Sequence, residues 1–369
     1  MKRRALLGSM LAGAVAPASL AQTSRANGLA ALAASRGLRL GTMTTLYFLQ
    51  DTPGLLPLIV QDAALVVPGW ELTWERVQPR PDHFEFGPAE QVIAIATANQ
   101  LQVRGHCLIW HEALPPHFDP GPDATATREI MRNHITGVCQ HFAGQLKSWV
   151  VVNEPIYPEH NQPGSLRKTP FYQALGPDYI RHALEWAAEA DPAAMLLINE
   201  YGIETPGPDS DKRRAALLAL LEKLVHQGAP LHALGIQGHL HAGESTFDPQ
   251  SLRRFIQDVA ALGLEVHITE LDVVDRRLPG NIVRRDREVA AMLRDFLDVV
   301  LTESAVTEIS TWGLDDRHSW MNDNQYTRRL DNLPARGHLY DRQFHRKPAW
   351  DVMATALRDL PLPMQRRPL

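Results

Sequence analysis

Short runs of apolar and β-branched residues recur along the chain, and longer amphipathic or alanine-rich segments separate them. The runs predict strands at 38–43, 64–67, 101–109, 149–152, 195–198, 234–237, 264–268 and 308–312. The segments between them predict helices, including 179–190, 211–227, 249–262 and 286–302. Strands that alternate with helices form parallel sheets through right-handed crossovers. Eight such units indicate the α/β class and a (β/α)₈ TIM barrel in a single domain.

The alternative architecture is a doubly wound open sheet. No Gly-x-Gly-x-x-Gly turn follows the first predicted strand, so the dinucleotide-binding form of that fold is not favoured. We assign residues 22–359 to the barrel, without a linker or a second domain. The tail, 360–369, is rich in proline and arginine, and we expect it to fray.

The first 21 residues have the pattern of a secretory signal peptide. A basic start at 1–4 precedes an alanine-rich apolar stretch at 5–16, and Ser19-Leu20-Ala21 fits a small-x-small cleavage site. The apolar stretch is short for a membrane span. The Arg3-Arg4 pair also fits twin-arginine export, and an uncleaved anchor is the alternative to cleavage. We expect a periplasmic or secreted protein with no membrane contact after cleavage.

Composition and charge narrow the classes of function. The 369 residues are 44% hydrophobic and 21% charged, which excludes collagen-like, coiled-coil and largely disordered chains. A formal net charge of −5 gives no support for a nucleic-acid partner. Two cysteines, Cys107 and Cys139, are too few for a disulfide scaffold, and we expect buried thiols rather than one bridge. We expect a monomer.

Polar and aromatic residues gather where the predicted strands end, which is where such barrels carry their chemistry. Amides and carboxylates bind hydroxyl groups, and indole rings cover the apolar face of a pyranose. The set therefore indicates a sugar-binding site. Its members are His106, Trp110, Asn153, Glu154, Glu200, Gln237, His239, Glu270, Asp272, Trp312 and Trp320.

Glu154 and Glu270 follow the fourth and seventh predicted strands and can form a glycosidase pair. In the retaining mechanism one carboxyl protonates the leaving oxygen, and the other, about 5–5.5 Å away, attacks the anomeric carbon. Opposed strands of a narrow barrel would bring the two together. Asn199-Glu200 is a second Asn-Glu pair at a strand end, but the apolar strand before Glu154 and Pro155 after it favour Glu154.

Six segments, in order, resemble glycoside hydrolase family 10, the family of β-1,4-xylanases: 104–111, 149–155, 235–239, 268–272, 312–320 and 346–350. The resemblance extends from about residue 38 to residue 357. It implies a retaining β-glycosidase that hydrolyses β-1,4-xylan or xylo-oligosaccharides by double displacement, without a cofactor or metal ion. In that mechanism Glu154 is the acid/base and Glu270 is the nucleophile.

The resemblance also implies roles for neighbouring residues. Asn153 would bind the 2-hydroxyl of the reactive sugar, in a contact that strengthens in the transition state. His239 and Asp272 would set the charge and orientation of Glu270, whose own charge would raise the pKa of Glu154. The residues around the sugar would be His106, Trp110 and Gln237 on the glycone side, with Trp312 and Trp320 closing over the reactive ring.

The chain departs from the family pattern after the second predicted strand. Gly69 and Trp70 stand where the family has Glu and Asn, and Thr73 stands where it has Lys. Ala113 replaces a Gln. Each lost charge-assisted hydrogen bond would cost about 1.5–3 kcal/mol of sugar binding. The alternative function is therefore an exo-acting or aglycone-specific β-glycosidase with Trp70 as a wall on the glycone side. A further departure is Glu200, where the family usually has Asp.

Two other classes of function stay open. His239 and His241, with Asp272 and His106 on the same rim, could imitate the site of a metal-dependent hydrolase. That interpretation leaves the tryptophans without a role. A non-catalytic carbohydrate-binding barrel is the second alternative, and retention of both Glu154 and Glu270 argues against it.

Overall fold

Eight parallel strands close into a barrel in the computed structural model, which describes residues 27–116, 118, 123–244 and 248–361. The β1–β9 and β6–β8 pairs complete the ring, which confirms the predicted (β/α)₈ barrel. The predicted signal peptide and residues 362–369 of the tail lie outside the described residues. The strands are β1 (Arg39–Thr44), β2 (Leu65–Pro68), β3 (Gln102–Ile109), β4 (Ser148–Asn153), β5 (Met195–Glu200), β6 (Ala233–Ile236), β7 (His239–His241), β8 (Glu265–Val274) and β9 (Val306–Thr311).

The short strand β7 lies outside the ring and was not predicted. It pairs in parallel with the last part of β8, with His239 opposite Asp272. The predicted seventh strand, 264–268, therefore continues to Val274. All ten positions of β8 are buried, including polar ones, so the polar residues that suggested a strand end lie inside the protein.

Helices cover the outside of the ring, as the alternation of the sequence predicts. The predicted helix 179–190 is confirmed without change, and the predicted helix 211–227 begins three residues earlier and ends one residue earlier. The helices of the described chain are α1 (Leu29–Ala34), α2 (Leu46–Asp51), α3 (Leu55–Asp62), α4 (Trp74–Val77), α5 (Gly87–Ala98), α6 (Ala124–His141), α7 (Pro170–Leu175), α8 (Tyr179–Ala190), α9 (Pro208–His226), α10 (Pro249–Ala261), α11 (Ile282–Val300) and α12 (Pro348–Asp359).

An ion cluster fills the barrel near the amino-terminal ends of its strands. Glu308 pairs with Arg104 and, at 2.9 Å, with Arg39. Arg104 Nη2 also lies 2.8 Å from His267 Nδ1. Burial alone would raise the pKa of Glu308, but the charges of Arg104, His267 and Arg39 outweigh it and lower the pKa to about 2. The cluster therefore stays charged below the site.

Cys107 and Cys139 are buried and free, which confirms the expectation of thiols rather than a bridge.

In the described ranges, no helix combines the length and apolar character that crossing a membrane requires.

Close packing between β3 and β4 depends on a glycine, and we predict that Gly105→Ala destabilises the barrel. A Cβ at residue 105 would lie 2.0 Å from the ring of Trp149, which is fully buried. The expected loss is about 1–3 kcal/mol of the free energy of unfolding, measured by urea denaturation.

Gly87→Ala is the matched control for that variant, because a Cβ there meets nothing within 4 Å. Its stability should change by no more than about 0.5 kcal/mol. Equal stability of the two variants would show that the contact between Gly105 and Trp149 does not limit the packing.

Candidate active site

Two side-chain amides connect Glu154 and Glu270. Asn199 Nδ2 donates to Glu270 Oε1 and to Asn153 Oδ1, each at 2.8 Å. Asn153 Nδ2 in turn donates to Glu154 Oε1 at 3.2 Å. Thr269 Oγ1 donates to Asn199 Oδ1 at 2.6 Å and fixes the orientation of that amide. The two carboxylates predicted to act together are therefore held in one hydrogen-bond network.

Glu154 is almost buried and receives two further hydrogen bonds. Gln237 Nε2 donates to Oε1 at 3.0 Å, and Trp110 Nε1 donates to Oε2 at 3.1 Å. Burial is the main cause that raises the pKa of Glu154; the two hydrogen bonds oppose it, and the charge of Glu270 adds to it. The environment therefore favours the protonated form that a general acid needs.

A chain of polar contacts leads away from Glu270 on its other side. His239 Nε2 lies 3.4 Å from Glu270 Oε2, and His239 Nδ1 lies 2.9 Å from Asp272 Oδ1. Trp320 Nε1 donates to Asp272 Oδ2 at 2.7 Å. Burial opposes protonation of His239, but the charges of Asp272 and Glu270 prevail and raise its pKa well above the ordinary value. The protonated imidazole can thus donate to both carboxylates.

Aromatic residues predicted to surround the sugar flank this network. The rings of His106 and Trp312 meet edge to face, with their centroids 5.2 Å apart. Burial lowers the pKa of His106, so the ring is neutral at neutral pH. Trp320 lies against His239, and Trp70 is 50% exposed after β2. The structure therefore brings Trp320 to the polar network and Trp312 to His106, whereas Trp70 is half exposed to solvent.

Three of the four residues predicted to depart from the family pattern, Gly69, Thr73 and Ala113, are packed into the barrel rim. A Cβ at residue 69 would lie 2.9 Å from Met43 Sδ, so Met43 occupies the space beside Gly69. Thr73 is fully buried, and its hydroxyl donates to the Trp70 carbonyl at 2.8 Å. Ala113 is buried as well. Gly69, Thr73 and Ala113 therefore offer only apolar or already bonded groups to this part of the rim.

Glu200 does not reach the candidate pocket. Its Oε2 accepts from the backbone N–H of Ile156 at 2.8 Å, and its Oε1 accepts from the N–H of Tyr201 at 3.0 Å. Burial, followed by the charge of Glu154, raises the pKa of Glu200 to about 8. Glu200 therefore supports the turn after β4, and it is Glu154 that faces the site.

The histidines that suggested a metal site are engaged with other groups. Both ring nitrogens of His239 face carboxylates, and His241 Nδ1 lies 3.9 Å from Glu244. Within the described ranges, no group of three or more His, Cys, Asp or Glu side chains is arranged to hold a metal ion.

Sequence reasoning missed Asn199, Thr269 and Arg167. Asn199 lies at a strand end, which is the signal that identified its neighbours. The sequence analysis used it only as part of the Asn199-Glu200 pair that was compared with Asn153-Glu154, and gave it no role of its own. Thr269 adjoins Glu270 and donates to the Asn199 amide. Arg167 Nε donates to the backbone carbonyl of Glu154 at 2.8 Å from a loop that carries no recognisable motif.

Known proteins share this fold and sequence pattern. The model of "Glycosyl hydrolase family 10" matches residues 28–356. Endo-1,4-beta-xylanase 5 of Pyricularia oryzae is 32% identical, covering 93% of this chain and 84% of that protein. Endo-1,4-beta-xylanase B of Thermotoga neapolitana is 30% identical over an alignment that covers 74% of this chain and 76% of that protein. The structure of xylanase 10B of Thermotoga petrophila, solved in complex with xylobiose, superposes with a TM-score of 0.81 at 27% identity. The superposition covers 90% of this chain and 97% of that one. The chain therefore belongs to glycosyl hydrolase family 10 and is a glycoside hydrolase.

Proposed function

We propose that this enzyme hydrolyses β-1,4-xylan and xylo-oligosaccharides with retention of anomeric configuration. The observation that carries the proposal is the hydrogen-bond network that joins Glu154, which has a raised pKa, to Glu270. The xylanases among its relatives, and the xylobiose bound to one of them, support the substrate class.

In the first step, Glu270 attacks the anomeric carbon while Glu154 transfers its proton to the leaving oxygen. The bond between the anomeric carbon and that oxygen breaks, and a covalent glycosyl–enzyme ester forms. Glu154 is then a carboxylate. In the second step it takes a proton from water, whose oxygen attacks the same carbon and releases Glu270. Two inversions at one carbon give net retention.

The surrounding residues position the sugar and the two carboxylates. Asn153 is proposed to bind the sugar 2-hydroxyl, and Asn199 holds its amide in place. His239 and Asp272 orient Glu270. The remaining sugar-binding residues are proposed to be His106, Trp110 and Gln237 on the glycone side, Trp312 and Trp320 over the reactive ring, and Trp70 at the rim.

We also propose that the protein is exported from a bacterial cytoplasm and acts as a monomer. The pattern of residues 1–21 supports export by either the general or the twin-arginine route. Xylan is a polymer outside the cell, so an exported hydrolase would meet it directly.

Removal of either carboxylate should strongly reduce hydrolysis of xylo-oligosaccharides. We expect Glu154→Ala to lose about 10²–10⁴-fold in kcat, because the leaving oxygen then lacks its proton donor. Glu270→Ala should lose at least as much, because no covalent ester can form. Proton NMR of the first product should show the β-anomer before mutarotation. An α-anomer formed first would contradict the retaining mechanism.

Glu222→Ala is the control, since this carboxylate is exposed on α9 and takes no part in the hydrogen-bond network of Glu154 and Glu270. Its activity should equal that of the wild type. A comparable loss there would mean that the effect of the two catalytic variants is not specific to the pair.

Trp110→Phe should shift the basic limb of the pH profile of kcat/KM to higher pH. The indole N–H stabilises the ionised form of Glu154 and lowers its pKa. Without that bond the pKa rises, so the required protonated form persists to higher pH. Trp320→Phe is the control, because its indole donates to Asp272 and should leave the basic limb in place. A shift to lower pH in Trp110→Phe would contradict the assignment.

The second candidate function is exo-acting or aglycone-specific β-glycosidase activity. Met43 fills the space beside Gly69, and the Thr73 hydroxyl is already bonded, which favours a glycone side that binds few sugars. The aromatic side chain at Trp70 could then close that side to a long chain.

The product pattern from xylohexaose distinguishes the two functions. Internal cleavage, with xylotriose and xylotetraose among the first products, is expected for the main proposal. Release of terminal sugars alone would support the alternative, and Trp70→Ala should then increase internal cleavage by removing the wall. Tyr326→Ala, which removes an aromatic residue that is 71% exposed in another loop, is the control and should leave the pattern unchanged.

A further inference from the structure

The backbone at Glu154 has a conformation that a non-glycine residue rarely adopts. Its φ angle is +57°, in the left-handed region, directly after the last residue of β4. Glycine would adopt this turn without strain, but glycine has no carboxyl group. Such strain persists only where the surrounding structure holds the backbone in place. The groups that hold this turn therefore determine where the carboxyl group of Glu154 points.

Arg167 contacts this turn at three points. Its Nε donates to the carbonyl of Glu154 at 2.8 Å, and its backbone N–H donates to the carbonyl of Pro155 at 2.7 Å. Its Nη2 lies 3.9 Å from Glu154 Oε2. The side chain is buried, with 7% exposed. One residue thus fixes the main chain of Glu154 and places a positive charge beside its carboxyl group.

The guanidinium group of Arg167 is itself held from several directions. It lies over the ring of Tyr157, 4.5 Å from the centroid, and Nη2 donates to the hydroxyl of Tyr201 at 3.2 Å. Arg213 supports the next part of the turn, because its Nη1 donates to the carbonyl of Ile156 at 2.9 Å. A planar guanidinium held in this way presents its donors in one fixed direction.

We propose that Arg167 is a positioning residue for the acid/base, an inference that rests on the role of Glu154 in the proposed function. Arg167 holds the left-handed turn, so that the proton of Glu154 points towards the leaving oxygen. When that proton has been transferred, Glu154 carries a negative charge, and the positive charge of Arg167, with Nη2 3.9 Å from Oε2, stabilises it through space. Arg167 should therefore increase the rate most for substrates whose leaving group needs a proton.

The test compares kcat/KM for two aryl β-xylosides, because this constant reports the step that forms the glycosyl–enzyme ester. 2,4-Dinitrophenolate leaves without a proton, whereas 4-methylphenolate needs one. We expect Arg167→Met to lose about 10–10²-fold on the 4-methylphenyl substrate and several-fold less on the dinitrophenyl one. Arg167→Lys keeps the charge and should recover part of the loss. An equal loss on both substrates would overturn the proposal.

Arg214→Met is the matched control, since this buried arginine of α9 donates to the carbonyls of Ile203 and Thr205. Any loss there should be equal on the two substrates. If Arg167→Met does not fold, Arg167→Lys decides: a loss confined to the poor leaving group supports the proposal, and a uniform loss overturns it.

Glu154→Ala separates this inference from the proposed function. It should lose activity on the 4-methylphenyl substrate and keep kcat/KM on the dinitrophenyl one. If the kcat/KM of Glu154→Ala falls equally on the two substrates, the acid/base role of Glu154 fails. If Glu154→Ala behaves as expected while the kcat/KM of the Arg167 variants falls equally on the two substrates, only the positioning role of Arg167 fails.

Discussion

The side-chain amide of Asn199 is the contact on which the geometry of the site depends. It donates to Asn153 and to Glu270, and so connects the ends of β4 and β5 with the middle of β8. Asn199 lies opposite Asn153 in the β4–β5 pair and opposite Gly235 in the β5–β6 pair. A Cβ at residue 235 would lie 2.3 Å from Asn199 Oδ1, so only glycine leaves room for this amide. A shift of one residue in either pair would turn Asn199 away from the interior and separate the two carboxylates.

Charged groups lie below the Asn199 amide, in the barrel interior, as well as beside it. Below the carboxylates, Arg104, Arg39 and Glu308 form ion pairs in the barrel interior, and the charge of Glu270 helps to keep Arg104 protonated. Buried ions of this kind cost desolvation energy and persist only when each has a partner. Above them, burial raises the pKa of Glu154. The fold therefore supplies a protonated carboxyl at Glu154 and fixed, paired charges beneath the site.

The sequence was sufficient for the barrel and for the residues that directly follow a strand. Glu154 and Gln237 are found in this way, because β4 and β6 end just before them. Glu270 and His239 are found because polar residues there suggest a strand end, although Glu270 lies inside β8 and His239 begins β7. Contacts between distant segments have no comparable signal. Arg167 reaches Glu154 from a loop thirteen residues later, and β7 forms only because β8 continues past the point where its residues become polar. Both depend on where two segments meet in space, which neither segment specifies alone.

Gly69 and Thr73 show the same limit of sequence-based prediction. The sequence predicts that polar groups are missing at these two positions, but it does not show that Met43 occupies the space beside Gly69. Met43 packs with Leu65 and Val67, and Trp312 rests on this cluster. A glutamate at residue 69 would require the Met43 thioether to move within the cluster that supports Trp312. Because Trp70, Thr73 and Ala113 are also predicted to differ from the family pattern, a single substitution at Gly69 would not restore that pattern.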